Sequence, residues 1–337
     1  MPESEDQLPV TVIACFYNEE RFLPGFFRNA EASFLGRAQL VLVDDGSTDG
    51  TLALLNAWAD GRPHVVVVPA PKNQGLAESR NLGLRAAERE YVWFIDADDV
   101  WPERALSILA TAAVEHDADL VLGCADYRRS SAERGRRIDG VPRQLVLDRR
   151  GALDLMLRGS MQGFLWSKLI RASALAGDVF PSNSPQEDFV GTVTALSRST
   201  KVVTVPATVY TYLNREESLS RTRNPALDRY AVARDAMVRV ACAEGVDPVL
   251  VDYFRLWFYA IAVAFTPVRF RASADSVRLG LRLARAEIAS LDLSNIARID
   301  RKSVLHARLI AHGGPLYVPL LRLALFAHGL VRSMRGR

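Results

Sequence analysis

Apolar residues along the first hundred positions come in short unbroken runs separated by polar turns. Val10–Cys15, Leu40–Val43, Val65–Val68 and Tyr91–Ile95 each read as a strand buried on both faces. Between them lie stretches of helical periodicity: Phe22, Phe26, Phe27 and Ala30, then Thr48–Trp58, then Leu76–Ala87. Strand and helix alternating over short loops predicts βαβ units and a mostly parallel sheet flanked by helices. After Asp99 the alternation loosens. Glu103–Glu115 predicts a helix, Leu120–Cys124 a strand, Ala152–Leu157 the start of a helix, and Val202–Leu213 a strand broken by Pro206. Residues 126–150 hold eight arginines against four acids, which predicts an exposed hairpin or loop.

Strand signals fade from about Asn224. Asp247-Pro248 predicts a helix start, with Pro at the first helical position. The helix that follows, to about Phe265, is apolar nearly all round. Ser273–Ser290 is amphipathic, with Arg278, Arg282 and Arg285 on one stripe and Val277, Leu281, Ala284 and Ile288 on another. The organisation expected is therefore a mostly parallel α/β domain over 1–222 and a C-terminal helical region over 223–337.

Composition narrows the class. The 337 residues are 49% hydrophobic and 24% charged, the balance of a folded globular chain. A net charge of +3 gives no ground for nucleic acid as a partner. Cys15, Cys124 and Cys242 are odd in number and far apart, so no disulfide framework or structural zinc site is expected and a reducing, cytoplasmic compartment is. The N-terminal segment is acidic without an apolar core, unlike a secretory signal. Residues 298–337 carry eight Lys/Arg and one acid, a net of +7 that leaves −4 on the rest. Within them, Pro315–Val331 is apolar apart from Arg322 and His328. It falls short of the roughly 20 residues a bilayer span wants. It suits either a helix packed on the main domain or an in-plane helix on an anionic inner leaflet.

The carboxylates fall at two strand ends. Asp44 and Asp45 follow one apolar run; Asp96, Asp98 and Asp99 follow another. Ligands of open parallel sheets bind at the carboxyl ends of the strands, so both groups are expected to face one crevice. Carboxylates so close repel unless a cation joins them, and Mg²⁺ or Mn²⁺ takes one or two carboxylates together with phosphate oxygens. Alone, the first group also fits a turn followed by a helix cap and the second an acidic loop; together they predict a metal–diphosphate site.

VIACFYNEE (12–20), VLVDDGSTDGT (41–51), NQGLAESRNLGL (73–84) and YVWFIDADD (91–99), in that order, resemble glycosyltransferase family 2, the nucleotide-diphospho-sugar transferases of GT-A (Rossmann-like) fold. The resemblance continues through FLWSKLIRASAL (164–175), FPSNSPQEDFVGTVTAL (180–196) and YTYLNREESLSRT (210–222), the last similar to the bacterial surface-polysaccharide branch. It implies a nucleotide-diphosphate sugar donor, Mn²⁺ or Mg²⁺, and transfer with inversion to a hydroxyl of a glycan or lipid-linked acceptor. It places Asp45 on the nucleobase, Tyr17 against its face, Cys15, Asn18 and Glu19 around it, and Arg80 towards the nucleotide or diphosphate. It gives the ribose to Asp96, the metal to Asp98 with Asp96, and the general base to Asp188 with Glu187 as neighbour. Arg215, Ser218 and Ser220 would close on the leaving nucleoside diphosphate. Cys15-Phe16 stands where the family commonly has a Pro/Thr–Val/Tyr pair, and Ser167 where it has Asn.

One carboxylate base and no protein nucleophile implies a single in-line displacement. Gln186-Glu187-Asp188 also fits an acidic helix start, and both readings can hold together. Alternatives are a sugar-1-phosphate nucleotidyltransferase and a non-catalytic nucleotide-sugar-binding subunit. The first needs a glycine-rich basic loop after the first strand, where this chain has CFYNEERFLP; the second is marked by lost carboxylates, and these are present. No G-x-G-x-x-G follows the first strand, and no G-x-x-x-x-G-K-[ST] occurs.

Overall fold

A computed structural model describes residues 7–128, 135–181, 186–213 and 227–334. The chain divides into two compact units, Met1–Arg215 and Glu216–Arg337.

The first unit is built on a nine-stranded sheet with helices against it. β1 (Val10–Phe16), β2 (Gln39–Asp44), β3 (Val65–Pro69) and β4 (Tyr91–Asp96) are linked through α1 (Leu23–Ser33), α2 (Thr51–Ala59) and α3 (Leu76–Arg85). They lie in the order β3-β2-β1-β4, every pair parallel. β1 and β2 are buried almost throughout, which is why they read as unbroken apolar runs. Beyond β4 the sheet changes character. α4 (Ala105–His116), β5 (Leu120–Arg128), β6 (Arg136–Asp139), β7 (Leu145–Asp148) and α5 (Arg149–Leu157) follow. Then come β8 (Lys168–Arg171), α6 (Glu187–Arg198) and β9 (Lys201–Leu213). β8 wedges antiparallel between β4 and β5, and β9 runs parallel to β5. β6 and β7 pair antiparallel on β5 and β9. The α/β class is as expected. Of the hairpin or loop expected in the arginine-rich stretch, the described part includes two sheet strands, β6 and β7; β6 pairs antiparallel with the preceding β5, with Asp139 inward and Arg136 and Arg137 in solvent. β9 runs through Pro206, which is exposed beside a register shift where a missing N–H breaks no ladder bond.

A line of rings fills one face of the sheet. Phe164, Trp166 and Tyr210 stack at 4.6 and 4.8 Å, and Trp101 stacks on Tyr210 at 6.4 Å and on Phe34 at 5.8 Å. This ties the loop after β4 to β9, and the two backbones bridge at Val100 and Thr211.

The second unit is helical: α7 (Asp228–Ala243), α8 (Pro248–Phe254), α9 (Ala262–Arg269), α10 (Ala274–Ala289), α11 (Leu293–Ile296), α12 (Arg301–His312) and α13 (Tyr317–Met334). Asp247 caps α8 by accepting from the Val249 N–H at 2.9 Å. A π-helical stretch, Arg255–Ile261, joins α8 to α9. The continuous helix 248–269 is long and apolar enough to cross a membrane, yet half of it is buried inside the fold. Phe254, Leu256, Ala260, Val263 and Ala264 are its inward side. Gly280 of α10 lets the two helices cross closely, since a Cβ there would stand 2.2 Å from the Val263 carbonyl oxygen. Glu287 is buried and accepts from Arg234 and Arg255, both at 2.7 Å.

Candidate active site

The register of the parallel strands sets the site. Phe16 is paired with Asp44, and Cys15 with Asp96. Cys15 and Asp96 therefore stand side by side on β1 and β4, and Asp44 lies one residue further along beside Phe16, all at the carboxyl edge. With strands about 4.8 Å apart, the β2 and β4 acids are separated by roughly 10 Å.

The loops after β1 and β2 are stapled together. Asn18, at φ 55°, accepts through Oδ1 from the Thr48 N–H at 2.8 Å, and its own N–H donates to Ser47 Oγ at 3.0 Å. The Glu19 N–H donates to Thr51 Oγ1 at 2.9 Å, and Glu20 accepts the Gly50 N–H at 2.9 Å. These bonds satisfy N–H groups at the start of α2. Tyr17, in the same loop, is 45% exposed, so its ring is open to stack on a ligand.

Asp45 is buried and accepts from two backbone N–H groups, Gln74 at 2.8 Å and Gly75 at 2.9 Å. It fixes the loop that begins α3, leaving each carboxylate oxygen a second lone pair. Gly46 makes the close approach possible. Its φ is +70°, and a Cβ would lie 2.5 Å from the Lys72 carbonyl carbon. Beneath it, Asp44 is buried; its Oδ2 accepts from the Ser47 N–H at 3.1 Å and its Oδ1 has no hydrogen-bond partner among the described residues.

α3 places Arg80 at the centre. The buried guanidinium donates to Glu187 Oε1 at 2.9 Å and lies 3.8 Å from Asp96 Oδ1. Burial alone would lower its pKa; Asp96, Glu187 and Asp188 outweigh that and raise it. The end of β4 and the start of α6 thus meet on one cation. Next to Arg80, Asn81 bonds reciprocally with the Phe180 backbone at 2.9 and 3.2 Å, holding Phe180 to α3.

Carboxylate charge is in excess here. Asp96 is pushed up by burial, held back by Arg80, and pushed further by Asp98 and Glu187. Asp99 is raised well above its ordinary value by burial and by Asp96 and Asp98; its Oδ1 accepts from the Leu213 N–H at 2.9 Å. Asp188 is pushed up to about 7 by burial and by Glu187, against the pull of Arg80, the Phe189 N–H and Lys168. The Cys15 thiol is pushed up to about 12 by burial, opposed by Arg80 and reinforced by Asp96 and Asp45, so it stays a neutral thiol at the rim.

Among the described residues no three His, Cys, Asp or Glu side chains close into a metal centre of their own. The residues at the end of β4 nonetheless fit a hard divalent cation. Asp98 is partly exposed beside Asp96, and one or two carboxylates completed by phosphate oxygens and water is the donor set Mg²⁺ accepts.

The structure thus brings Cys15, Asp45, Arg80, Asp96, Asp98, Glu187 and Asp188 to one edge, with Tyr17, Asn18 and Glu19 in the adjoining loop. Arg215, Ser218 and Ser220 lie outside the described residues. An open groove of about 670 Å³ beside α4, lined by Arg37, Glu103, Arg104 and Thr111 among others, contains none of these residues.

Two supporting groups escaped sequence reasoning. Tyr210 is buried and its hydroxyl accepts from the Asp96 N–H at 3.0 Å, fixing the turn that presents Asp98. Lys168 is fully buried and donates to Asp139 Oδ2 at 2.9 Å, with Ser167 donating to the same oxygen at 2.6 Å. Ser167 is therefore part of this buried network and unavailable to an acceptor. The only sequence signals were the family-like segments that contain these residues.

Residues 11–169 match the family described as Glycosyl transferase family 2. The chain is 28% identical over 223 residues to the cholesterol galactosyltransferase of Borreliella burgdorferi, covering 63% of this chain. It spans 62% of that relative's length, under two thirds. Among solved structures, S. aureus TarS 1-349 in complex with UDP-GlcNAc superposes with a TM-score of 0.71 at 16% identity, over 95% of this chain and 92% of that one. The Pyrobaculum calidifontis mannosyltransferase PcManGT, in complex with GDP-Man and Mn²⁺, gives 0.53 at 18% identity, over 98% and 89%. At these identities the structural likeness speaks for the fold, which is GT-A.

Proposed function

Because the chain carries a glycosyl transferase family 2 domain on a GT-A fold, we propose that it moves a sugar from a nucleotide-diphosphate sugar to a hydroxyl of a glycan or lipid-linked acceptor. The transfer is inverting and divalent-metal-dependent, and it serves cell-surface polysaccharide or glycoconjugate synthesis from the cytoplasm. The observation that carries this reading is the Arg80 junction, where acids from β4 and α6 converge on one guanidinium. One wall then offers carboxylates for a metal–diphosphate and the other a base.

The roles are those the family resemblance implies, and the geometry of the site supports them. Tyr17 lies against the nucleobase and Asp45 accepts from its edge through a free lone pair, while Cys15 lines the rim. Asp96 takes the ribose and, with Asp98, would hold Mn²⁺ or Mg²⁺. That ion, when bound, supplies Lewis-acid stabilisation of the negative charge on the departing diphosphate. Glu187 is committed to Arg80, which leaves Asp188 to take the acceptor proton as the new bond forms. A pKa near 7 suits that task, since the carboxylate is both available and basic near neutral pH. A mannosyltransferase of the same fold holding GDP-Man and Mn²⁺ supports the donor and the ion; the galactosyltransferase relative supports a lipid alcohol as one acceptor class. The loop after β1 argues against a nucleotidyltransferase, because it lacks the glycines and is bonded to the start of α2.

Thermal-shift measurements with UDP-, GDP- and dTDP-sugars and Mn²⁺ identify the donor; turnover with and without metal then tests the site. Asp98→Ala is expected to keep the fold and lose metal-stimulated turnover by about a hundredfold or more. Turnover at the parent rate in that variant refutes the metal assignment.

A further inference from the structure

The helical unit carries a surface that the transfer chemistry does not use. α12 buries Val304, Ala307 and Ile310 and turns the opposite side outward. There Leu305 (62%) and Leu309 (47%) are exposed between Arg301, Lys302 and Arg308. α13 follows after a 118° bend. Its start is anchored, because Tyr317 is buried with its hydroxyl 2.9 Å from His306 Nε2. Leu316 just before the helix and Leu320, Leu323 and Phe326 along it are 56–66% exposed, three or four residues apart, with Arg322 beside them. Six large apolar side chains in solvent within 22 residues is more than a soluble surface normally presents.

We propose that this face docks on an anionic lipid bilayer, with α12 and α13 lying in the interface plane. Charge selects the occupant. Residues 301–337 contain no Asp or Glu and seven Lys/Arg. A second copy would set two such strongly positive surfaces against each other, whereas anionic headgroups neutralise them while the acyl boundary takes the leucines and Phe326. The bend and the burial of one side of α12 prevent these helices from forming one straight span. An in-plane pair instead offers both apolar stripes to the same boundary and leaves the arginines and Lys302 at headgroup depth.

The test is flotation of the full chain with phosphatidylcholine vesicles and with vesicles containing phosphatidylglycerol, at low and high salt. Binding is expected only with the anionic lipid and is weakened by salt. Leu320→Glu/Phe326→Glu and Arg301→Gln/Lys302→Gln/Arg308→Gln/Arg322→Gln should each reduce partitioning roughly tenfold or more. Circular dichroism and thermal shift confirm that each variant folds, and a single Leu305→Gln variant provides a milder probe if one does not. A chain that stays with the soluble fraction at low salt overturns the proposal. So does binding unaltered by both sets of substitutions. A concentration-dependent dimer in analytical centrifugation, abolished by Leu320→Glu/Phe326→Glu and accompanied by no vesicle binding, overturns it in favour of a second copy.

Discussion

Asp188 and Glu187 are adjacent acids with different fates, and the difference is set by Arg80. Glu187 receives the guanidinium at 2.9 Å and is neutralised by it. Asp188, crowded by that same Glu187 and partly withdrawn from water, holds its proton to about pH 7. The rate of transfer is therefore expected to rise with pH through about 7, as the base loses its proton, and Asp188→Asn should remove transfer while leaving donor binding intact. A kcat/KM profile of the parent, beside donor titration of the variant, checks both; transfer persisting in the variant assigns the base elsewhere. The same shift has a stability consequence of fixed sign. A carboxyl whose folded pKa lies above its unfolded one adds stability below about pH 4, and that stability is lost as pH rises through about 7. Asp188→Asn should thus melt above the parent at pH 8, with the gap closing as pH falls towards 4.

Among the elements, the loop from β2 to α2 carries a steric demand that bears directly on the site. Gly46 combines a left-handed φ with a neighbour at 2.5 Å that is backbone and cannot swing aside. Gly46→Ala is expected to cost about 2 kcal/mol or more, seen as a lower denaturation midpoint. It should also weaken donor binding, because the displaced 72–75 loop loosens the two bonds that hold Asp45. An alanine variant with parent stability would show that the loop has slack. The elements readable in the sequence were those with a strong one-dimensional signature. β1, β2 and β4 are apolar runs because both faces are covered, and the acids that end β2 and β4 mark the carboxyl edge without further information. β8 left no such trace. Its four residues are too few for a period, its first is a buried lysine neutralised by an aspartate 29 residues earlier, and its antiparallel placement is purely tertiary. The pairing of Arg80 with Glu187, 107 residues apart, was beyond reach for the same reason. The acids were legible as a set and Arg80 as a member of the site; that Arg80 pairs with those acids was not.

The whole molecule separates two kinds of ligand along the chain. In the first unit the polar groups expected to meet a nucleotide come from the ends of β1, β2 and β4 and from the start of α3. The second unit instead presents apolar side chains and cations on α12 and α13, while the rest of the chain is net negative. Hydrogen exchange is suited to resolve this, because each ligand slows exchange where it orders or covers backbone. A nucleotide-diphosphate sugar with Mn²⁺ is expected to protect residues 15–20, 45–48, 73–80 and 96–99 and to leave 301–327 unchanged. Anionic vesicles should protect 301–327 and leave the strand ends unchanged. If vesicles protect the strand ends without nucleotide, the bilayer or its headgroups reach the carboxylate edge themselves, and the separation fails. If the nucleotide protects 301–327 in the absence of lipid, those helices respond to donor binding. Their exposed leucines would then belong to the transfer reaction itself and not to an independent anchor.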